Sequence, residues 1–361
     1  MKFSFLINSL DGGGTEKVCT TLAIELANRG YYIDLFVLGK KSNKHICHPN
    51  VNVVYFGKDR TVKSILSLNR VANLLDSETI LVFNHELSLF LYFIKVLRNK
   101  KFFIVSRMNN TFSKTVKLKS FFYKVIYIPL MTFFYKKMDY FIFQSEGIKA
   151  DLISNFNVTG PNSLIPNPID ISNKRLAPEK KGNELLYVGR LVKQKNVIDI
   201  LYAFKELYKE NNSLKLTVVG DGPERRNLEE FTLNNNLTSA VNFVGKVTDV
   251  DLYYRRSDVT VLSSFNEGFP NVLLESISNF TPVVSYDCPS GPSEIIVDGI
   301  NGYLVNHLNK LDLIDKIKLA LHSDWQPDSL LESISRFDTK NVISSYEKAL
   351  LRVNKSIDLE G

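Results

Sequence analysis

Two glutamates frame a turn between a strand and a helix in the second half of the chain. Val259–Leu262 is an apolar, β-branched run typical of a buried strand, and Pro270 marks the start of a helical pattern. Glu267 precedes that helix, and Glu275 lies in its second turn. The free N–H groups and dipole of a helix start attract phosphate, which these carboxylates would repel. The carboxylates are therefore expected to accept hydrogen bonds from sugar hydroxyls. A nucleotide sugar offers both a diphosphate and such hydroxyls.

Two other loops carry residues that suit an anionic ligand. Arg190 and Lys195 follow a predicted strand that ends at Gly189, and from such a loop cations can reach a diphosphate. Near the start of the chain, residues 11–16 (DGGGTE) form a glycine-rich turn, which lets the backbone approach a ligand closely at a helix start. Taken alone, the cations are also compatible with solvated loop charges, and the glycines with a tight strand-to-helix turn.

The segment 267–275 (EGFPNVLLE) resembles the E-x7-E motif of retaining GT-B glycosyltransferases of family four. Other landmarks of that family follow in its order along nearly the whole chain. They are the glycine loop, the Pro-Asn-Pro hinge at 166–168, and the Gly-Arg-Leu…Lys pattern at 189–195. The glycine loop has one extra glycine, and Asn196 stands where the family usually has glycine.

The resemblance implies a role for each matching residue. Arg190 and Lys195 would neutralise the diphosphate leaving group, and Glu275 would hold the ribose hydroxyls. Glu267 would bind the donor sugar together with the backbone N–H groups of Phe269 and Asn271. The predicted catalytic residues are Glu267, Arg190 and Lys195. The remaining predicted donor-binding residues are Gly13, Gly14, Glu16, Gly268, Pro270 and Val272.

Three polar residues at predicted strand ends in the first half are candidates for acceptor binding. His85 follows the strand at 80–83, and Arg107 and Asn109 end the strand at 102–105. Residues at the carboxyl ends of parallel strands lie at the ligand-binding edge of an open α/β sheet. Many family members have a histidine near the position of Arg107, so this chain departs from the pattern, and Arg107 could meet an acceptor phosphate instead.

Strands and helices alternate along both halves, which predicts two doubly wound, Rossmann-like α/β domains. The family resemblance implies the GT-B arrangement, in which the two domains face each other across a cleft. We expect an acceptor-binding domain over residues 1–165, a linker over 166–183 and a nucleotide-sugar-binding domain over 184–336. A C-terminal helix within 337–361 is expected to return to the first domain.

The net charge of +7 is unevenly distributed. Residues 1–165 hold 22 Lys+Arg against 11 Asp+Glu, or +11, whereas residues 166–361 hold 23 against 27, or −4. No nucleic-acid motif accompanies the basic half, so the sequence favours an anionic membrane or acceptor as its partner. Three scattered cysteines and the lack of a signal peptide indicate the cytoplasm, at the inner face of the membrane if the protein binds lipid.

Residues 112–137 combine basic and aromatic residues. Their apolar part, 121–135, is shorter than the roughly 20 residues of a spanning helix, and Pro129 would kink it. One interpretation is a segment at the membrane interface, with Lys114, Lys117, Lys119 and Lys124 facing anionic lipid. The other is a buried helix with a lysine-rich rim.

The sequence predicts no metal and no other cofactor. Asp249 and Asp251 have the Asp-x-Asp form of a metal site, but they precede a helical stretch whose dipole favours acids at its start. The expected reaction is transfer of a hexose or N-acetylhexosamine from a UDP-sugar to a lipid-linked or polysaccharide acceptor in bacterial surface glycan synthesis. The alternatives are a non-catalytic sugar-nucleotide-binding subunit and a GT-B epimerase or phosphorylase.

Overall fold

The structure, a computed structural model, describes residues 1–11, 13–41, 46–57, 64–75, 77–113, 125, 128–172 and 182–355. It divides into two compact units. The first unit comprises Met1–Pro168 and Lys340–Gly361, and the second comprises Ile169–Thr339. The chain therefore leaves the first unit after Pro168 and re-enters it at Lys340. Half of the predicted linker, residues 173–181, lies outside the described residues.

A parallel sheet of seven strands forms the centre of the first unit, in the order β3-β2-β1-β4-β5-β6-β7. The strands are β1 Lys2–Ile7, β2 Tyr32–Val37, β3 Val51–Tyr55, β4 Thr79–Val82, β5 Phe103–Met108, β6 Tyr140–Phe143 and β7 Asn162–Leu164. β4 is buried along its whole length, as expected of a strand covered on both faces by helices.

The described helices of the first unit lie between these strands and at the end of the chain. They are α1 Gly14–Asn28, α2 Ser64–Leu74, α3 His85–Leu97, α4 Ile128–Tyr135, α5 Glu146–Phe156 and the C-terminal helix Thr339–Lys355. The apolar side of the C-terminal helix, including Ile343, Tyr346 and Leu350, joins the hydrophobic core formed by β1, β2 and α1. This helix, of which residues 340–355 are described within the first unit, is therefore part of that unit's core.

The second unit contains a parallel sheet of six strands in the order β10-β9-β8-β11-β12-β13. The strands are β8 Glu184–Val188, β9 Lys215–Val219, β10 Val241–Gly245, β11 Val259–Leu262, β12 Val283–Tyr286 and β13 Gly302–Val305. Its helices are α6 Val197–Glu210, α7 Arg225–Asn234, α8 Asp251–Arg256, α9 Asn271–Ser278, α10 Pro292–Ile295, α11 Lys310–His322 and α12 Pro327–Ser333. With the C-terminal helix as α13, the prediction of two doubly wound α/β domains is confirmed.

Each sheet has a point at which the strand order reverses. In the first unit β1 lies between β2 and β4, and in the second β8 lies between β9 and β11. Ligands of open α/β sheets bind at the carboxyl ends of the strands beside such a switch point. In the second unit, the loops after β8 and β11 carry Lys195 and Glu267. In the first unit, Gly13 follows β1, and His85 begins the helix after β4. Within each sheet, strand order thus brings distant parts of the sequence to one edge.

Candidate functional site

The loops after β8 and β11 meet through an ion pair. Lys195 Nζ lies 2.5 Å from Glu267 Oε1, and Ser264 Oγ donates a second hydrogen bond to the same oxygen, also at 2.5 Å. The Glu267 residue is only 7% exposed. A buried carboxylate requires such partners, because transfer of an unpaired charge from water is costly. Two of the three predicted catalytic residues are therefore in direct contact.

Hydrogen bonds to backbone carbonyl oxygens, one from a backbone N–H and two from side chains, hold the same two loops in register. Phe265 N donates to Gln194 O at 2.9 Å, and Gln194 Nε2 donates to Asn266 O at 2.8 Å. Ser263 Oγ donates to Asn196 O at 2.8 Å. The position of Lys195 relative to Glu267 is consequently set by several bonds and does not depend on the ion pair alone.

The structure explains how Asn196 can stand where the family usually has glycine. It has φ 48°, in the left-handed region, where asparagine is better tolerated than most residues. Its Nδ2 donates to Asp199 Oδ2 at 2.7 Å, and Tyr286 OH donates to the same oxygen at 3.0 Å. Lys310 Nζ pairs with the other carboxylate oxygen at 2.9 Å. The asparagine side chain thus anchors a turn that a glycine would leave without this bond.

Arg190 follows β8 and is exposed. Its backbone oxygen accepts a hydrogen bond from Tyr187 OH at 3.1 Å, and the next residue, Leu191, donates its N–H to Asp221 O at 3.0 Å. The backbone around Arg190 is therefore fixed while its guanidinium remains accessible. Burial raises the pKa of Tyr187, and the Glu267 carboxylate adds to that effect, so the hydroxyl remains a donor at neutral pH.

The helix α9 begins at Asn271, with Pro270 as its N-cap in an extended conformation. Phe269 before it is buried against Phe337, with ring centroids 5.7 Å apart. Gly268 O accepts a hydrogen bond from Ser290 Oγ at 2.8 Å. Asn271 and Val272 form the first turn and are half-buried. The predicted donor segment thus surrounds the start of a helix, where backbone N–H groups favour an anion.

Glu275 lies on α9 and is also held by a tyrosine. Tyr254 OH donates to Glu275 Oε2 at 3.3 Å, and Tyr254 is completely buried. Burial, reinforced by Glu275, raises the pKa of Tyr254 well above its usual value, so its proton stays available for this bond. Asn279 Nδ2 donates to Glu275 O at 2.9 Å. The bond from Tyr254 restricts the orientation of the carboxylate, whereas Asn279 contacts the backbone of Glu275.

Cys288 lies in the loop after β12, close enough to Glu267 and Lys195 to be influenced by their charges. Burial, with a further contribution from Glu267, raises the pKa of this thiol to about 12. Since the thiolate is the nucleophilic form of cysteine, burial and the nearby Glu267 carboxylate both disfavour Cys288 as a nucleophile.

In the first unit, the glycine loop leads directly into α1. Gly13 is the N-cap and Gly14 the first residue of this helix, and both are exposed. Glu16 occupies the first turn and is half-buried. Lys17 N donates to Gly13 O at 3.1 Å, which closes the first turn of the helix. The predicted residues of this loop therefore lie at a helix start, as those of the second unit do.

The three acceptor candidates have different surroundings. His85 is the first residue of α3, and its ring lies edge-on to Phe112 with centroids 5.1 Å apart. Asn109 is half-buried and donates to Phe83 O at 2.7 Å and to Thr15 Oγ1 at 3.3 Å. Arg107, in contrast, is 0% exposed. The structure thus places Arg107 inside the first unit and not at its surface.

Asp249 and Asp251 lie at the start of α8, as the sequence predicted. Asp249 Oδ1 accepts a hydrogen bond from Asp251 N at 3.0 Å, and Asp251 Oδ1 accepts one from Asn279 Nδ2 at 3.2 Å. Within the described ranges, no group of three or more His, Cys, Asp or Glu side chains could hold a metal ion. Asp249 thus binds a backbone N–H at the helix start, and Asp251 binds a side chain at the end of α9.

Two family models match the chain consecutively. "Glycosyltransferase Family 4" matches residues 12–173, and "Glycosyl transferases group 1" matches residues 169–337. The chain belongs to family four of the GT-B glycosyltransferases. The two matches divide the transferase at the same place as its two compact units, near residue 169.

Two curated relatives align with the transferase over most of their length. The amylovoran biosynthesis glycosyltransferase AmsD of Erwinia amylovora is 28% identical over 320 residues, covering 85% of this chain and 86% of AmsD. A Campylobacter jejuni enzyme, named as an N-acetylgalactosaminyltransferase acting on a diphospho-undecaprenol-linked sugar, is 26% identical over 337 residues. That alignment covers 90% of this chain and 91% of the relative.

A solved structure shows the same fold. HepE from Anabaena, in complex with UDP and glucose, superposes with a TM-score of 0.78 at 16% identity. The superposition covers 97% of the transferase and 99% of HepE. At this identity the likeness establishes the GT-B fold.

Two contacts of the candidate site were not predicted from the sequence. Ser264 bonds to Glu267, and Tyr254 to Glu275. Ser264 lies three residues before the glutamate, so the loop pattern could have indicated it. Tyr254 lies 21 residues before its partner on another helix, and no local pattern connects them. Only the packing of α8 beside α9 brings that pair together.

Proposed function

We propose that the transferase moves a hexose or N-acetylhexosamine, with retention at the anomeric carbon, from a UDP-sugar to a hydroxyl of a lipid-linked or polysaccharide acceptor in bacterial surface glycan synthesis. The Lys195–Glu267 pair beside the start of α9 carries this proposal, because it places a cation for phosphate next to an acceptor for sugar hydroxyls. The names of the two relatives above support the acceptor class, and the UDP bound to HepE supports the base.

In this reaction, the bond between the anomeric carbon and the diphosphate oxygen breaks as the acceptor oxygen binds the same face of the sugar. The leaving phosphate oxygen takes the acceptor proton. Arg190 and Lys195 stabilise the charge that develops on the diphosphate, an effect that positioned cations can supply at several kcal/mol. With these cations in place, we propose that no metal is required.

The carboxylates have complementary roles in the proposal. Glu275, oriented by Tyr254, accepts hydrogen bonds from the ribose, and Glu267 accepts them from the donor sugar. Since Lys195 already neutralises Glu267, the carboxylate can be kept close to a diphosphate without net repulsion. Gly13, Gly14 and Glu16 are assigned a further donor contact, and His85 and Asn109 remain candidates for the acceptor.

A thermal-shift screen with UDP, GDP, ADP and their sugars, in the presence of EDTA, tests the donor site. A ligand at 100 times its Kd should stabilise the folded state by about 2.7 kcal/mol. We expect a shift with the uridine compounds that is lost in Arg190→Ala. Arg226→Ala, at an exposed arginine of α7, is the matched control and should keep the shift. No shift with any nucleotide, from well-folded protein, would contradict both the proposed function and the alternative of a non-catalytic sugar-nucleotide-binding subunit.

We also propose that the first unit contacts an anionic membrane. Lys114, Lys117, Lys119 and Lys124 lie outside the described residues. Among the described ones, Phe133 of α4 is 57% exposed and Leu97 at the end of α3 is 79% exposed. Exposed aromatic and aliphatic side chains beside cations are typical of interfacial segments.

The packing of α4 on α3 and the cations beside the exposed apolar residues support the proposed membrane contact. Phe134 packs on Phe93, with centroids 4.3 Å apart, which joins α4 to α3. Lys137 Nζ lies 4.7 Å above the Phe133 ring, and Arg98 next to Leu97 is exposed. Within the part of the chain that the structure describes, no helix is both long and apolar enough to cross a bilayer. We propose that the contact is peripheral.

Introducing charge into this surface should release the protein from lipid. We expect the double variant Leu97→Glu/Phe133→Glu to lose most co-sedimentation with vesicles containing anionic phospholipid, because buried apolar area and attraction to anionic headgroups both decrease. Leu311→Glu, at a leucine 74% exposed on α11 of the second unit, is the control and should sediment like the unchanged protein. Equal sedimentation of all three proteins would exclude this surface.

A further inference from the structure

Arg107 is a completely buried cation at the carboxyl end of β5. Its Nε donates to Tyr346 OH at 2.8 Å, its Nη1 donates to Asn109 Oδ1 at 2.6 Å, and its Nη2 donates to Asn167 Oδ1. The guanidinium carbon also lies 5.4 Å from the centre of the Phe83 ring. A guanidinium presents its donors in a fixed planar fork, so three such bonds define its orientation closely.

Two partners of Arg107 lie close to the points where the chain leaves and re-enters the first unit. Asn167 is the residue before Pro168, where the chain leaves the first unit. Tyr346 lies on α13, the helix with which the chain re-enters that unit. Just beyond these points the two connecting segments pair, with Ile169 N donating to Phe337 O at 2.9 Å and Thr339 N to Ile169 O at 3.0 Å. The Arg107 side chain thus forms hydrogen bonds next to both connecting segments, to Asn167 and to Tyr346.

The third partner extends this network to the glycine loop. Asn109 receives the bond from Arg107 through Oδ1 and uses Nδ2 to donate to Thr15 Oγ1 at 3.3 Å. Thr15 lies in the first turn of α1, between Gly14 and Glu16. The path from the connecting segments to the glycine loop therefore consists of three side chains in contact.

We propose that Arg107 is a positioning residue that fixes the glycine loop relative to the two connecting segments. In buried surroundings, loss of one partner leaves a charged donor unsatisfied, so a change at one end of the network disturbs the other end. The consequence for turnover rests on the proposed function, in which Gly13, Gly14 and Glu16 contact the donor. The positional coupling itself does not.

Hydrogen exchange of the full-length protein without ligand tests the coupling. The reporter is the amide of Lys17, whose bond to Gly13 O closes the first turn after the loop. Tyr346→Phe removes the hydroxyl that accepts from Arg107, and position 346 lies 329 residues after Lys17 in the chain. We expect Lys17 to exchange about tenfold faster, the change that corresponds to about 1.4 kcal/mol and to loss of a hydrogen bond to a charged group.

Tyr31→Phe is the matched control. Tyr31 OH donates to Glu347 Oε1 at 2.7 Å, so this variant also removes a tyrosine bond to α13, but not one made by Arg107. Lys17 should exchange at the unchanged rate in this variant. Asn167→Ala, at the other connecting segment, should accelerate it as Tyr346→Phe does, and so replaces that variant if it fails to fold.

Two results would overturn the inference. One is unchanged Lys17 exchange in both Tyr346→Phe and Asn167→Ala. The other is equal acceleration in Tyr31→Phe, which would show that any loosening of α13 has the same effect. Because no nucleotide is present, these outcomes differ from failure of the proposed function, which is measured by UDP binding to the unchanged protein.

Discussion

Replacement of Lys195 by alanine is expected to reduce kcat/KM by about 10²–10³-fold, the range found when one positioned electrostatic donor is removed from an active site. The physical reason has two parts. The diphosphate loses a cation, and Glu267, a residue 7% exposed, loses the partner 2.5 Å away. The measurement is the steady-state release of nucleoside diphosphate from the sugar nucleotide selected by the thermal-shift screen.

The neighbouring Lys193 provides the control for charge alone. It is exposed in the same loop, so Lys193→Ala changes net charge equally and should alter kcat/KM less than about twofold. The variant Lys195→Ala/Glu267→Gln separates the two parts of the effect. If repulsion by the uncompensated Glu267 causes much of the loss, neutralising that carboxylate should recover part of it. Equal activities of Lys193→Ala and Lys195→Ala would remove Lys195 from the catalytic set.

The sequence predicted the two-domain fold because the relevant signals are local. Apolar strands, turn glycines and helical periodicity are each read within about ten residues, and their alternation determines the class of fold. The same signals placed Arg190, Lys195 and Glu267 on loops after strands. The contact between Lys195 and Glu267 could not be predicted from local patterns, since it depends on β8 and β11 being neighbours in the sheet. The resemblance to a family with known strand order supplied that step.

Arg107 illustrates what local patterns could not determine. A polar residue at the end of a parallel strand is a reasonable candidate for the ligand-binding edge. In the structure it is buried and donates to Tyr346, which lies 239 residues later on a helix that returns to the first unit. The sequence did predict that returning helix. It did not indicate that the helix would supply a hydroxyl to an arginine, because that requires the register of α13 on the sheet.

Asn196 shows the reverse situation, in which an apparent weakness of the motif has a physical explanation. Glycine adopts a left-handed backbone conformation without steric strain, and asparagine can adopt the same conformation at modest cost. Here the amide also bonds to Asp199, which in turn is held by Tyr286 and Lys310. Three of these four residues lie outside the motif, so the compensation was visible only in the folded chain.

The substitution Gly220→Ala is expected to destabilise the second unit by at least about 4 kcal/mol, at the upper end of single-residue effects. An added Cβ would lie 1.8 Å from Gly189 O, a backbone atom that cannot move aside without displacing the end of β8. Gly220 also has φ 137°, which strains any residue with a side chain. Since Gly189 precedes Arg190, the structural change would reach the proposed diphosphate site. The fluorescence of Trp325, the single tryptophan of the chain, reports urea unfolding of this unit.

Gly299→Ala separates the clash from the backbone strain. Gly299 has φ 75°, yet an added Cβ would meet nothing within 4 Å, so this variant should lose only the roughly 1–2 kcal/mol typical of a left-handed non-glycine residue. The difference between the two variants then measures the contact between the turns after β8 and β9. Equal losses would show that the turn at Gly220 can relax, and that the backbone of Gly189 is not what holds Arg190 in place.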